Sequence, residues 1–181
     1  AAPGAIERVR IDPTTLEPRI KVIGSDLWSD ETGFAEETAA FGVTGICGSG
    51  IIEVIAELPA LHDLDLEGNR LDDDGLVALA ELPHRFTNLD LERGDFGPLG
   101  AAALAASPIL ERVQTLDLGG NALGREGFVA IARSPHLRQL AHLSLEGSFA
   151  ADQQPDHELA IALAGSPMVD TLASLQFSLA R

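Results

Sequence analysis

Two sets of residues have types and spacings that could do chemistry. The first is acidic. Asp63, Asp65 and Glu67 alternate along one short run, and Asp90 with Glu92, then Asp117, then His142 with Glu146, stand at matching places in three later runs. Alternate residues of a strand share a face, and paired strands lie about 4.8 Å apart. Carboxylates stacked in this way repel one another until a basic partner relieves them, which predicts docking of a Lys/Arg-rich protein segment. The competing reading is a solvated acidic face that only keeps the chain soluble.

The second set is Gly45, Gly48, Ser49 and Gly50, within Gly45-Ile46-Cys47-Gly48-Ser49-Gly50, ahead of the apolar run Ile51 to Leu58. Glycines permit positive φ and close backbone approach, and free N–H groups at a helix start attract anions, so this turn could cradle a phosphate. It lacks the G-K-[ST] ending of a P-loop and the G-x-G-x-x-G order of a dinucleotide fold. Glu53, expected in the first helical turn, adds negative charge where the phosphate would lie. A tight strand-to-helix turn with Ser49 as helix cap is the alternative.

Other chemistry-bearing residues read as architecture. Asp72-Asp73-Asp74-Gly75 lacks the alternation and distal glutamate of a calcium loop, and acids suit a helix start. The five histidines form no metal or catalytic signature, and no metal site is expected. Ser107, Ser134 and Ser166 each precede a proline at equivalent places, as structural residues do. Cys47, the sole cysteine, excludes an intramolecular disulfide and cysteine-cluster metal ligation within this chain; it reads as a small buried side chain.

The elements that must position the acidic set are written as a repeat. Leu64-Asp65-Leu66-Glu67-Gly68-Asn69 returns as Leu116-Asp117-Leu118-Gly119-Gly120-Asn121, with weaker copies at Leu89-Asp90-Leu91 and Leu143-Ser144-Leu145, so the leading leucines are 25, 27 and 27 residues apart. Such a period is the signature of stacked units. The leucines of L-x-L point inward as two buried columns. Asn69 and Asn121 turn inward to satisfy turn backbone, with Gly94 and Ser148 in that place in the other units. Apolar helices beginning at Gly75, Gly100 and Gly127 follow, and Pro59, Pro83, Pro108, Pro135 and Pro167 close the helices. In the fourth unit Phe149 to His157 reads as an inserted loop. These units resemble ribonuclease-inhibitor-type leucine-rich repeats over about residues 58–181, four units and a partial fifth. The resemblance implies an α/β fold, a solenoid with parallel strands on the concave face and helices on the convex face, and a partner-binding concave surface.

Residues 1–57 do not share the period. Ile6 to Ile11 and Arg19 to Ile23 alternate as two strands of a hairpin joined across Asp12-Pro13-Thr14-Thr15, followed by a polar stretch with a short helix. Gly4-Ala5-Ile6-Glu7, Val22-Ile23-Gly24 and Gly45 to Glu53 resemble part of the actin-like, sugar-kinase-like ATPase domain of reductive activators of corrinoid proteins. That family binds ATP between two lobes, beside a ferredoxin-like module, and drives electron delivery to a cobalamin protein; ATP with Mg²⁺ is the cofactor this resemblance implies. The ferredoxin cysteines and a second phosphate-binding hairpin are missing. This hairpin-and-helix segment reads equally as a cap on the repeats or as the scar of a natural or artificial fusion.

The net charge is −16, with ten acids against four bases in residues 1–57 and eighteen against eight in the remainder. Such a surface repels phosphate backbones and anionic lipid, so neither nucleic acid nor membrane is an expected partner. With a single cysteine and no charged-then-apolar leader, a cytoplasmic location is expected. The first residue is Ala1 and the one methionine is Met168, so the chain reads as processed or excised. The sequence therefore predicts a non-enzymatic protein-interaction module with no cofactor, against a remnant of an ATP-dependent activator or a chimera without evolved activity. Its oligomeric state is open.

Overall fold

Asp12 sets the first pair of strands. Its Oδ1 accepts hydrogen bonds from the N–H groups of Thr14 and Thr15, both at 2.8 Å, and this turn joins β1 (Ala5–Ile11) to β2 (Pro18–Val22) as an antiparallel hairpin. These backbone bonds, Thr15 first, hold the Asp12 carboxyl below its usual range. The computed structural model describes residues 3–12, 14–15, 17–43, 45–46, 48–149 and 157–179, in two compact units, Ala1–Pro59 and Ala60–Arg181.

In the first unit, Trp28 sits by the hairpin with the guanidinium carbons of Arg10 and Arg19 at 5.1 and 5.4 Å from its ring, a cation–π arrangement on both counts. The short helix α1 (Phe34–Thr38) follows. β3 (Gly45–Ile46) pairs parallel with β1, and α2 (Gly48–Ala56) packs against β1. Ile51, Ile52 and Ile55 are buried, as are Val9 and Val22. The helix begins three residues earlier than the apolar run predicts, which moves Glu53 into the second turn. There its Oε2 accepts a hydrogen bond from Val9 N–H at 3.0 Å, beside the irregularity between Ile6 and Arg8 in β1. Glu53 is therefore a backbone clamp rather than a charge facing the glycine turn.

The second unit carries a five-stranded parallel sheet in chain order. β4 (Asp63–Asp65) leads to α3 (Asp72–Ala80), β5 (Asn88–Asp90) to α4 (Pro98–Ala106), and β6 (Thr115–Asp117) to α5 (Gly124–Ala132). β7 (His142–Phe149) leads to α6 (His157–Ala164) and β8 (Ser174–Leu179). Leu64, Leu89, Leu116, Leu143 and Leu175 are register partners across all five strands, so the leading leucines stand side by side as their spacing predicts. Both leucines of each L-x-L from β4 to β7 are buried. The architecture is mixed α/β: a parallel sheet with helices in one unit, an antiparallel hairpin in the other.

Each helix packs on the next, α3 on α4, α4 on α5, α5 on α6. A Cβ at Gly127 would lie 3.2 Å from Ala101 Cβ and 3.3 Å from Pro98 Cα, and one at Gly100 would lie 2.7 Å from Asp73 Oδ1, so these glycines let neighbouring helices approach. The helices start two or three residues before those glycines. The serines before the prolines tie one unit to the last: Ser134 Oγ donates to Ala105 O at 2.6 Å, and Ser107 Oγ donates to Ala80 O.

Three expectations need correction. Asn69 is exposed, with one long bond of 3.4 Å from its Nδ2 to Glu67 O. It lies beside the edge strand β4, and the inward asparagine position works by reaching the preceding unit, which the sheet does not supply there. Phe149 does not begin a loop; it ends β7 at 1% exposure, its ring tilted against those of Phe177 at 4.8 Å and Phe128 at 5.8 Å. At its other end His157 already begins α6; the residues between, 150–156, lie outside the described residues, as does Cys47. Asp73 is not a solvated helix start: its Oδ1 accepts from Gly97 N–H at 2.8 Å and Gly100 N–H at 2.7 Å. It thereby caps the N-terminus of α4, whose own first residues offer no capping side chain. No helix among the described residues is long and apolar enough to cross a membrane.

Candidate functional site

Between the buried leucines, the intervening side chains of β4 to β8 face away from the core in rows fixed by the register. One row runs Asp63, Asn88, Thr115, His142, Ser174, and the next runs Asp65, Asp90, Asp117, Ser144, Gln176. The ladder continues beyond β4 to β6 through Gly68 N to Glu92 O at 2.8 Å, Arg93 N to Gly119 O at 2.9 Å and Gly120 N to Glu146 O at 2.7 Å. This aligns a third row, Glu67, Glu92, Gly119 and Glu146. The eight acidic and histidine candidates thus lie on one face, with the acid concentrated on β4, β5 and β6. An open depression of about 300 Å³ lies among Asp63, Asp65, Asn88, Asp90, Thr115 and Asp117.

The middle row has two roles. Oδ1 of Asp65, Asp90 and Asp117 accepts the N–H two residues on, from Glu67 at 3.0 Å, Glu92 at 3.0 Å and Gly119 at 2.8 Å. Each aspartate ends its strand in the same local turn. All three line the depression, and among the described residues no basic side chain lies within ion-pair distance of them. Asp90, in the centre, is pushed above its usual range by burial and then by Asp117, Asp65 and Glu67, against the Glu92 N–H bond, which lowers it. Glu92 is also raised, first by burial; Arg93 opposes this, and Asp117, Glu67 and Asp90 add to it.

Arg93 was not among the sequence candidates, yet it changes the charge of the face. Its Nη1 lies 2.5 Å from Glu67 Oε1 and its Nη2 2.9 Å from Glu92 Oε1, so two of the seven acids already have a cation. The signal was legible: Gly68, Gly120 and Gly147 hold the equivalent place with φ of 72, 66 and 69°, and Arg93 adopts φ 54° there. An arginine in a glycine column marks a side chain kept despite backbone strain. Asp63, at the rim, accepts from Asn88 Nδ2 at 2.5 Å.

The glycine set lies in the other unit. Gly45 pairs with Ala5 in the β3–β1 ladder, and Gly48, Ser49 and Gly50 form the first turn of α2. Their N–H groups are thus helix N-terminal donors rather than loop donors. Among the described residues no group of three or more His, Cys, Asp or Glu is arranged to hold a metal ion.

Comparison with known families bears out both resemblances. A model described as the C-terminal domain of RACo, the ASKHA domain, matches residues 1–75, so that the match runs through β4 and into α3. A model described as Leucine Rich repeat matches residues 113–132, the segment holding β6 and α5. No curated protein matches the chain.

Proposed function

We propose that the second unit is a leucine-rich-repeat solenoid acting as a non-enzymatic protein-interaction module, and that its concave acidic face docks a basic protein segment. The observation that carries this reading is the row Asp65, Asp90, Asp117. Three carboxylates stand in adjacent register with no cation of their own among the described residues, and the middle one is held up by burial and by its two neighbours. An arginine or lysine laid across the row relieves that repulsion and gains charge-assisted hydrogen bonds. The same surface disfavours nucleic acid and anionic membrane, and a reducing, cytoplasmic setting suits the single cysteine.

The test is titration of an Arg/Lys-rich peptide against the full chain at two salt concentrations. Binding should weaken with salt, and Asp90→Asn together with Asp117→Asn should weaken it about tenfold or more, because asparagine keeps the oxygen that bonds the strand-end N–H and removes only the charge. Equal affinity of the double variant would overturn the reading.

The family match over residues 1–75 favours a second reading for the first unit, a remnant of an ATP-dependent activator in which the N–H groups of Gly48, Ser49 and Gly50, with Gly45 behind them, receive a nucleotide phosphate. Under that reading residues 1–57 are an appended ATPase-like segment and the repeats supply attachment. A thermal shift with ATP and Mg²⁺ that Gly48→Val abolishes would support it; no shift in the unaltered chain would sink it.

A further inference from the structure

The first unit carries ten acids and four bases, and all four bases are on its hairpin. β1 supplies Arg8 and Arg10, and β2 supplies Arg19 and Lys21. In the register Arg8 stands opposite Lys21 and Arg10 opposite Arg19. Alternate residues of a strand share a face, as do cross-strand partners, so the four cations form a two-by-two block on one side of the hairpin. Val9 and Val22 turn to the other side and are buried, where α2 packs against β1. Like charges directly opposite one another destabilise a strand pair, and here two such pairs lie side by side.

The block is neutralised only loosely. Arg8 Nε is 3.8 Å from Glu53 Oε1 and Lys21 Nζ is 3.5 Å from Asp26 Oδ1. Arg19 Nε is buried and 2.8 Å from Asp30 Oδ1, yet its N–H is aimed at no acceptor. Arg10 is exposed and, among the described residues, has no carboxylate within ion-pair distance; its guanidinium lies over Trp28, which Arg19 also meets. Among the described residues none of these four side chains donates a hydrogen bond, whereas Arg70, Arg85, Arg93 and Arg138 of the second unit all do. The hairpin thus keeps a block of like charge whose donors the fold does not use.

We infer that this face of the hairpin is a docking surface for an extended acidic segment of another protein, with Asp or Glu at alternate positions. Guanidinium forks pair with carboxylates through two parallel hydrogen bonds, and such a segment would both use the idle donors and relieve the cross-strand repulsion. Arg8 and Arg10, like Arg19 and Lys21, are two residues apart, about 6.8 Å along a strand, which is also the spacing of same-face side chains in an extended partner. Charges farther off than about 8 Å are screened at physiological ionic strength, so a short segment responds to the four cations rather than to the net charge of −16. The Trp28 ring already meets two guanidinium groups, so it is engaged with cations rather than open for stacking a base, which favours a protein segment over a nucleic acid. The surface lies on the first unit and selects acid, so it stands or falls separately from the acidic row of the second.

Trp28 is the only tryptophan and there is no tyrosine, so the site carries its own reporter. Titrating the full chain with a peptide in which Glu alternates with Ser should change the Trp28 emission saturably, with affinity falling about tenfold or more between about 0.05 and 0.5 M salt. Arg10→Gln should weaken binding about fivefold or more and Arg10→Lys less, whereas Arg112→Gln, which removes an exposed base elsewhere, should leave it unchanged. Circular dichroism melts verify folding: Arg10 opposes Arg19, so Arg10→Gln should melt no lower than the unaltered chain. No saturable change at either salt, an affinity indifferent to Arg10→Gln, an equal loss in Arg112→Gln, or tighter binding of a single-stranded oligonucleotide of equal charge would each overturn the proposal.

Discussion

Asn121 stands inside the second unit as a bridge to the turn of the preceding repeat: its Oδ1 accepts from Gly94 N–H at 2.8 Å, and its Nδ2 donates to Leu91 O at 2.9 Å and Leu118 O at 3.0 Å. One amide therefore satisfies backbone from two successive repeats in a site where the side chain is 3% exposed. Asn121→Ala strands a buried N–H and several carbonyls and should cost about 2 to 3 kcal/mol. The sequence-equivalent Asn69→Ala should cost about 0.5 kcal/mol or less. Urea melts of the two variants check this, and equal losses would mean that the asparagine acts through its turn alone.

Leu118 is fully buried, and Leu118→Ala should cost about 2 to 5 kcal/mol through lost burial and the cavity left behind. Neighbouring Asp117 is not a bystander, since its Oδ1 accepts from Gly119 N–H at 2.8 Å. Asp117→Ala should therefore cost about 0.5 to 1.5 kcal/mol, with Asp117→Asn closer to wild type. Reversal of the order of Leu118→Ala and Asp117→Ala in a denaturant melt would contradict the inward and outward assignments.

Arg93 competes with any cationic partner for Glu67 and Glu92. Arg93→Gln should raise the affinity of the basic peptide about two- to fivefold, measured by fluorescence anisotropy with a labelled peptide. Lower affinity would show that Arg93 itself contacts the partner. Because φ at this position suits glycine, Arg93→Gly should stay within about 1 kcal/mol of wild type, strain relief offsetting lost ion pairs. Gly120→Ala, with φ +66° and a Cβ 2.9 Å from Arg93 Cγ, should be destabilising by about 1 to 2 kcal/mol.

Asp90 and Glu92 have raised carboxyl pKa values in the folded chain. A carboxylate of this kind is destabilising while ionised, so stability is recovered as pH falls through the raised value toward the ordinary carboxylate range. Asp12 has the opposite sign: its lowered value gives stability at neutral pH that is lost as pH falls through it. Asp90→Asn should thus be more stable than wild type at neutral pH, with the gap closing on acidification. Peptide affinity of the wild type should decline over the same interval. A gap independent of pH would exclude Asp90 as the strained carboxylate.

How much was legible in the sequence follows from which interactions are periodic. Leu64, Leu89, Leu116 and Leu143 repeat, so their alignment could be read directly, and the acids between them came with it. Asn69 misled because a repeat motif says nothing about being on the edge strand, where the preceding unit's backbone is missing from the sheet. Asp73 was hidden in a run of three acids, its task set by Gly97 and Gly100 some 24 and 27 residues away. Glu53 and the starts of the helices were misplaced because a glycine-rich segment reads as a turn, although Gly48 to Gly50 take helical backbone once α2 packs on β1. Arg93 could have been found by lining up the glycine column and asking why one member differs.

Trp28, whose ring meets the guanidinium groups of both Arg10 and Arg19, is the single indole of a chain that has no tyrosine. Its emission is therefore a spy on residues 3–59 alone, while the five-stranded sheet is optically silent at those wavelengths. Heating followed by fluorescence and by circular dichroism in parallel would report whether the two halves of this polypeptide come apart as one cooperative body or in succession.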